Sequence, residues 1–99
     1  MADIMEMCSE EERKLLIAAA QDGKSKGKIM IMRLNEGNFI RAGNENFPDD
    51  KSKDPVYDFE RYFEAVKRLE KRGYIRCESR DLYQLTTEGH DKARQLAKK

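Results

Sequence analysis

The feature that most constrains this chain is a punctuated helix in its second half. Asp54-Pro55 opens it. Asp is a good N-cap, and proline suits the first turn because its missing N–H would be unpaired there in any case. Phe59, Tyr62, Phe63, Val66 and Leu69 follow at spacings of three and four, which places them on one helix face. Gly73 comes just after Arg72, where it is placed to end the helix in a left-handed cap. A short strand follows (Tyr74-Ile75-Arg76-Cys77), then a polar turn around Ser79-Arg80-Asp81, then a second strand (Leu82-Tyr83-Gln84-Leu85). Thr86 or Thr87 caps a last helix that carries Ala93, Leu96 and Ala97. Helix, tight hairpin and capped helix in this order restrict the fold to the α+β class.

The run Ala65-Val66-Lys67-Arg68-Leu69-Glu70-Lys71-Arg72-Gly73-Tyr74-Ile75 and the later Tyr83-Gln84-Leu85-Thr86-Thr87-Glu88-Gly89 carry a resemblance. Together they resemble the recognition helix, wing and exit helix of bacterial winged-helix transcription regulators of the MarR and PadR kind. Those families share a leucine-centred helix, a Gly-Leu/Tyr-Ile step and a Tyr-x-Leu-Thr-x-x-Gly exit from the wing. The resemblance spans a little under half of the chain. It implies a winged-helix fold and double-stranded DNA as partner, with Arg80 at the wing tip reaching towards a groove. Winged helices also serve as protein-binding modules, so fold and function are separate questions.

Ninety-nine residues make one domain, residues 1–99, with a modest core and little room for a deep active site. Charged residues are 39% and hydrophobic residues 38% of the chain, a profile of heavily solvated faces. No apolar run approaches the roughly 18 residues of a membrane span, and the acidic start Met1-Ala2-Asp3-Ile4-Met5-Glu6-Met7 lacks the build of a signal peptide. A cytoplasmic location is the expectation. The net charge is only +1, against the stronger basic balance common in free-standing DNA-binding domains. Cys8 and Cys77 form no CxxC pair, so no disulfide is expected.

The first half reads differently. Ser9-Glu10-Glu11-Glu12 is a capping box with acids at the positive helix end. Leu15, Leu16, Ala19 and Ala20 form the apolar stripe of the helix that follows, and a polar loop from Asp22 to Gly27 ends it. Lys28 to Leu34, with Ile29, Met30, Ile31 and Met32, reads as a strand entering a turn at Asn35-Glu36-Gly37-Asn38. Phe39-Ile40-Arg41-Ala42 is the returning strand of a hairpin; a short buried helix is the alternative to the hairpin, because Met and Leu favour helices. Residues 43–54 are expected to be a polar loop anchored by Phe47, and residues 1–8 to be disordered. The regulator families have a helix pair before the wing. A hairpin in place of one of those helices is a departure from their pattern.

Arg61, Lys67, Arg68, Lys71, Arg72, Arg76 and Arg80 are the candidate nucleic-acid-binding residues. Seven basic residues against Glu64, Glu70 and Glu78 give the 61–80 segment a local balance of +4. Lys67, Arg68 and Lys71 lie away from the apolar face and are available to phosphates. The alternative is an ordinary solvated face with pairs such as Glu64–Arg68. Lys92, Arg94, Lys98 and Lys99 suit a helix C-terminus whether or not they bind anything.

Catalytic and metal chemistry is not expected. His90 is the one histidine and has no nucleophile or second ligand beside it in sequence. There is no HExxH, CxxC or calcium-loop spacing, and Asp49, Asp50, Asp54 and Asp58 are not spaced for calcium. The segment Gly23 to Gly27 lacks the spacing of a phosphate-binding loop. No cofactor is implied. The Ile29–Met32 strand raises another possibility, because consecutive residues point to opposite faces. One face covers the core, and the other meets a helix of the same chain or a protein partner.

These readings converge on a small winged-helix-like α+β domain of three helices, an N-terminal hairpin and a wing hairpin. The expected core is Leu15, Leu16, Ala19, Ile29, Ile31, Phe39, Phe59, Tyr62, Phe63, Val66, Leu69, Ile75, Leu82, Leu85 and Leu96. Tyr83 is expected to pack across the wing with Arg76 or Ile75. The expected function is a nucleic-acid-binding module, with a protein-interaction module acting through Ile29, Met30, Ile31 and Met32 as the alternative. A monomer or weak homodimer is expected, and no membrane partner.

Overall fold

The computed structural model describes residues 8–21, 27–35, 37–48 and 51–97. The chain runs α1 (Glu10–Gln21), β1 (Lys28–Leu34), β2 (Gly37–Ala42), β3 (Glu45–Phe47), α2 (Pro55–Lys71), β4 (Ile75–Ser79), β5 (Leu82–Leu85) and α3 (Thr87–Ala97). The strands form one antiparallel sheet in the order β3-β2-β1-β5-β4. The described residues form a small α+β domain with three helices and a five-stranded sheet.

Local chemistry sets the helix ends. The Ser9 N–H donates to Glu12 Oε1 at 3.0 Å, and the Glu12 N–H donates to Ser9 Oγ at 3.2 Å, which closes the capping box of α1. Asp54 Oδ1 accepts from the Tyr57 N–H at the start of α2, with Pro55 in its first turn. At the other end Gly73 has φ +83°, and the Gly73 and Tyr74 N–H groups donate to the carbonyls of Glu70 and Leu69. That paired closure is a Schellman cap. Thr86 is the cap of α3: its Oγ1 accepts from the Gly89 N–H and donates to the Gly73 carbonyl at 2.6 Å.

Strand register sorts the sheet into two faces. Ile29 and Ile31 lie opposite Ala42 and Ile40, Ile40 lies opposite Phe47, and Ile75 lies opposite Leu85. All seven are buried in the core, where they join Leu15, Leu16, Ala18 and Ala19 of α1, Phe59, Ala65, Val66 and Leu69 of α2, and Ala93 of α3. Helix α1 touches both α2 and α3, so the three helices form one layer over this face. Phe47 meets Tyr62 with ring centroids 5.1 Å apart, and Phe59 stacks on Phe63 at 5.9 Å.

Several expectations change. Residues 43–54 contain β3, because Asn46 and Glu45 pair with Arg41 and Ala42 after a turn at Gly43-Asn44. Phe39 and Leu82 point away from the helices and lie outside the core. Ile40, next to Phe39, is buried completely, as is Ala42. Tyr62, Phe63 and Leu96 are only partly buried, packed against the core's rim. Tyr83 sits opposite Cys77 and Ile29 on the helix side, and Arg76 pairs instead with Gln84. Residues 1–7, expected to be disordered, lie outside the described residues; Cys8 itself packs partly buried against the core.

Candidate binding surface

The fold divides the seven basic candidates into separate groups. Arg61, Arg68 and Arg72 turn towards α1. Arg61 Nη2 lies 2.8 Å from Glu11 Oε2. Arg68 Nε donates to Glu12 Oε1 at 3.4 Å, and Arg72 Nη1 lies 3.4 Å from Glu12 Oε2. Glu12 is 1% exposed, the one buried charged side chain among the described residues. Its Oε2 meets no hydrogen-bond geometry, so the Arg72 contact there is a charge contact. Arg68 also approaches Glu64 at 3.8 Å, the helical pair expected from the sequence. Arg68 is exposed, as expected, and its guanidinium also serves an ion-paired seam between two helices.

The remaining basic candidates scatter. The Lys67 ammonium sits 4.8 Å from the Phe63 ring centroid. Lys71 is exposed at the end of α2, and Arg80 is exposed in the two-residue turn of the β4–β5 hairpin. Arg76 lies on the sheet and pairs with Glu78 at 2.9 Å. Beside Arg80, Asp81 takes φ +62° and binds Arg33 Nε at 3.0 Å, which ties the hairpin tip to β1. The hydrogen bond from Arg33 holds the Asp81 carboxyl below the usual carboxylate range, and the same bond raises the Arg33 guanidinium.

The other proposed set, Ile29 to Met32, is split by the pleat. Ile29 and Ile31 are core residues. Met30 and Met32 point to the opposite face, which no described helix covers. On that face Met32 lies opposite Phe39, and Met30 lies between Arg41 and Leu82. Leu34, half exposed, continues the line along β1. Lys28 lies at its other end, across from Gln84, which in turn faces Arg76. The result is an apolar stripe of Leu34, Met32, Met30, Phe39 and Leu82, with Lys28, Arg41 and Arg76 at one end and side. Alternation along β1 signals half of this face in the sequence. Phe39, Leu82, Arg41 and Arg76 needed the cross-strand register.

The other sequence candidates form no site. His90 is partly buried beside Gly27, its N–H on the Thr86 carbonyl. Burial pushes the Cys8 thiol up, and the Glu12 charge adds to this, against smaller opposing effects of Lys92 and Arg72. Burial likewise raises the Tyr83 hydroxyl. Arg94 pairs with Asp91 within α3. Asp58 accepts from Ser52 Oγ, while Asp49, Asp50, Lys98, Lys99 and the Asp22–Lys26 segment lie outside the described residues. Among the described residues no group of three or more His, Cys, Asp or Glu side chains is placed to hold a metal ion. No described helix is long and apolar enough to cross a membrane. A cleft of about 330 Å³ between the β1–β2 turn and the start of α2 is lined by Gly37, Asn38, Pro55, Val56, Phe59 and Glu60, with no titratable cluster in it.

Comparison of the chain with protein-family models, with curated proteins and with solved structures returned no match.

Proposed function

We propose that this chain is a protein-interaction module, built on a winged-helix-like frame, that takes its partner on the open face of its sheet. The observation that carries the reading is that face. Met30, Met32, Leu34, Phe39 and Leu82 form one continuous apolar stripe that the helices leave uncovered, and contiguous apolar surface of this kind marks interaction sites. Methionine is adaptable and favoured where varied side chains must be accommodated. The basic helix supports the same reading by default, since Arg61, Arg68 and Arg72 are held by Glu11 and Glu12.

The test is a selection of 16-residue displayed peptides against the folded domain, followed by amide chemical-shift mapping with a recovered peptide. Shifts should cluster at Met30, Met32, Phe39 and Leu82, and Met32→Lys should weaken binding by about tenfold or more. Peptides that bind elsewhere, or that are indifferent to Met32→Lys, would overturn the reading.

A second reading is duplex DNA binding by a transcription-regulator-like domain. It is favoured by the order β1-β5-β4 together with α2, the β4–β5 hairpin and α3, an arrangement like that of the regulators the sequence resembles. Lys67, Lys71 and Arg80 would carry it. Shifts confined to those three on titration with duplex DNA, with no peptide bound at the sheet, would favour it.

A further inference from the structure

Resting on the interaction-module reading, we propose that the occupant of the open sheet face is an acidic amphipathic helix of a partner protein. Its apolar stripe runs along β1, and its carboxylates meet Lys28, Arg41 and Arg76. The stripe has the dimensions of such a helix. From Leu34 to Met30 a strand advances about 13 Å, which is about nine residues, or two to three turns, of α-helix. Phe39 on one side and Leu82 on the other widen the stripe beyond β1.

The charges select the sign of the partner. Lys28 and Arg41 are exposed and make no ion pair with a described residue. Arg76 has a side chain 70% exposed and shares Glu78 as its one carboxylate. Among the described residues three cations against one carboxylate border the stripe, so a partner's Glu or Asp side chains gain attraction as its apolar residues dock. The distribution also disfavours a second copy of this chain. The cations lie mostly at the Lys28 end, so two copies laid parallel would oppose like charges. Laid antiparallel, each would set Lys28 and Arg76 over the other's Leu34 end. Single-stranded nucleic acid fits less well, since bases stack on rings and Phe39 is the one aromatic side chain on this face. A helix is preferred to an extended segment because it satisfies its own backbone groups, whereas a strand laid flat across a sheet face leaves its groups unpaired.

Three synthetic 16-residue peptides, alike in a Leu stripe at helical spacing and differing in Glu, Gln or Lys at the polar positions, test this. Fluorescence anisotropy reads affinity, amide shifts read the location, and a labelled oligothymidylate is the nucleic-acid control. The Glu peptide should bind at the Met30–Met32 face at least about tenfold more tightly than the Gln peptide, with the Lys peptide weaker still. The double variant Lys28→Glu/Arg41→Glu lies at exposed positions, and circular dichroism verifies its fold. It should reverse the order, so that the Lys peptide binds best. Gln or Lys peptides that bind this face of the wild-type protein as tightly as the Glu peptide would overturn the acidic-helix proposal and leave the interaction module standing. No peptide bound at the face, or oligothymidylate alone bound there, would overturn both.

Discussion

Arg68 and Glu12, fifty-six residues apart in sequence, meet at 3.4 Å with the carboxylate almost wholly buried. Glu12 therefore has two structural roles. Its Oε1 closes the first turn of α1 on the Ser9 N–H, and its charge anchors α2 through Arg68 and Arg72.

Replacing Glu12 should separate those roles. Glu12→Ala loses the side-chain half of the capping box and leaves two guanidinium groups without their shared acid, at a cost of about 2–3 kcal/mol. The arginines are themselves partly solvated, which keeps the figure below that of a fully buried pair. Glu12→Gln retains an oxygen for the Ser9 N–H and should cost less. Urea unfolding midpoints compare the two; equal losses would mean the cap contributes nothing.

The tie between Arg33 and Asp81 should respond to acid. Arg33 holds the Asp81 carboxyl below its ordinary value, so the contribution is present above the usual carboxylate pKa of about 4 and lost as pH falls through the lowered value. Asp81→Asn keeps a side chain that tolerates the left-handed φ. It should unfold at lower urea than the wild type near neutrality, and the gap should close in strong acid. A gap that stays constant with pH would assign the effect to the turn rather than to the charge.

Two glycines should differ for opposite reasons. A methyl group on Gly89 would lie 1.9 Å from the Tyr74 carbonyl oxygen, so α3 can approach the sheet this closely only through a bare Cα. Gly89→Ala should cost at least about 2 kcal/mol despite alanine's better helix propensity. Gly73 has φ +83° and open space around it, so Gly73→Ala should cost about 1 kcal/mol, from backbone strain alone. Thermal melts of the two variants check the order.

Neighbouring residues of β1 should behave as though they came from different proteins. Ile31→Ala opens the core and should cost about 2–4 kcal/mol, while Met32→Ala on the uncovered face should cost under about 1 kcal/mol. Equal losses would place Met32 inside.

Any affinity for duplex DNA should depend weakly on salt. With Arg61, Arg68 and Arg72 engaged by Glu11 and Glu12, and Arg76 by Glu78, Lys67, Lys71 and Arg80 remain for phosphates. About three contacts give a log–log slope no steeper than roughly −3. Anisotropy over a salt series measures it, and a slope near −6 would mean that the ion-paired arginines let go of α1 to bind.

Much of the fold was legible because punctuation and period agree. Asp54-Pro55 and Gly73 bound α2, Ser9 and Glu12 start α1, and the apolar residues between them recur at helical spacing. Strand parity was less legible. Phe39 and Ile40 are both large and apolar, and nothing local says which faces the helices; the pairing of Ile40 with Ile31 and Phe47 decides it. Strand β3 is three residues long and polar at two of them, too short to announce itself against a loop background. The basic run from Arg61 to Arg80 was visible, but the engagement of Arg61, Arg68 and Arg72 by Glu11 and Glu12 was not, because those acids sit on α1, far away in sequence.

The two outermost strands bear on how the domain behaves in crowded solution. β3 is three residues long and runs straight into Pro48, which has no N–H to offer; β4 is kinked between Cys77 and Ser79 and displays Arg76 and Glu78. Neither rim offers the long, flat row of unpaired amides on which another chain's strand would templately add. The sheet should therefore resist growing sideways into fibrils, even though one of its broad faces is sticky.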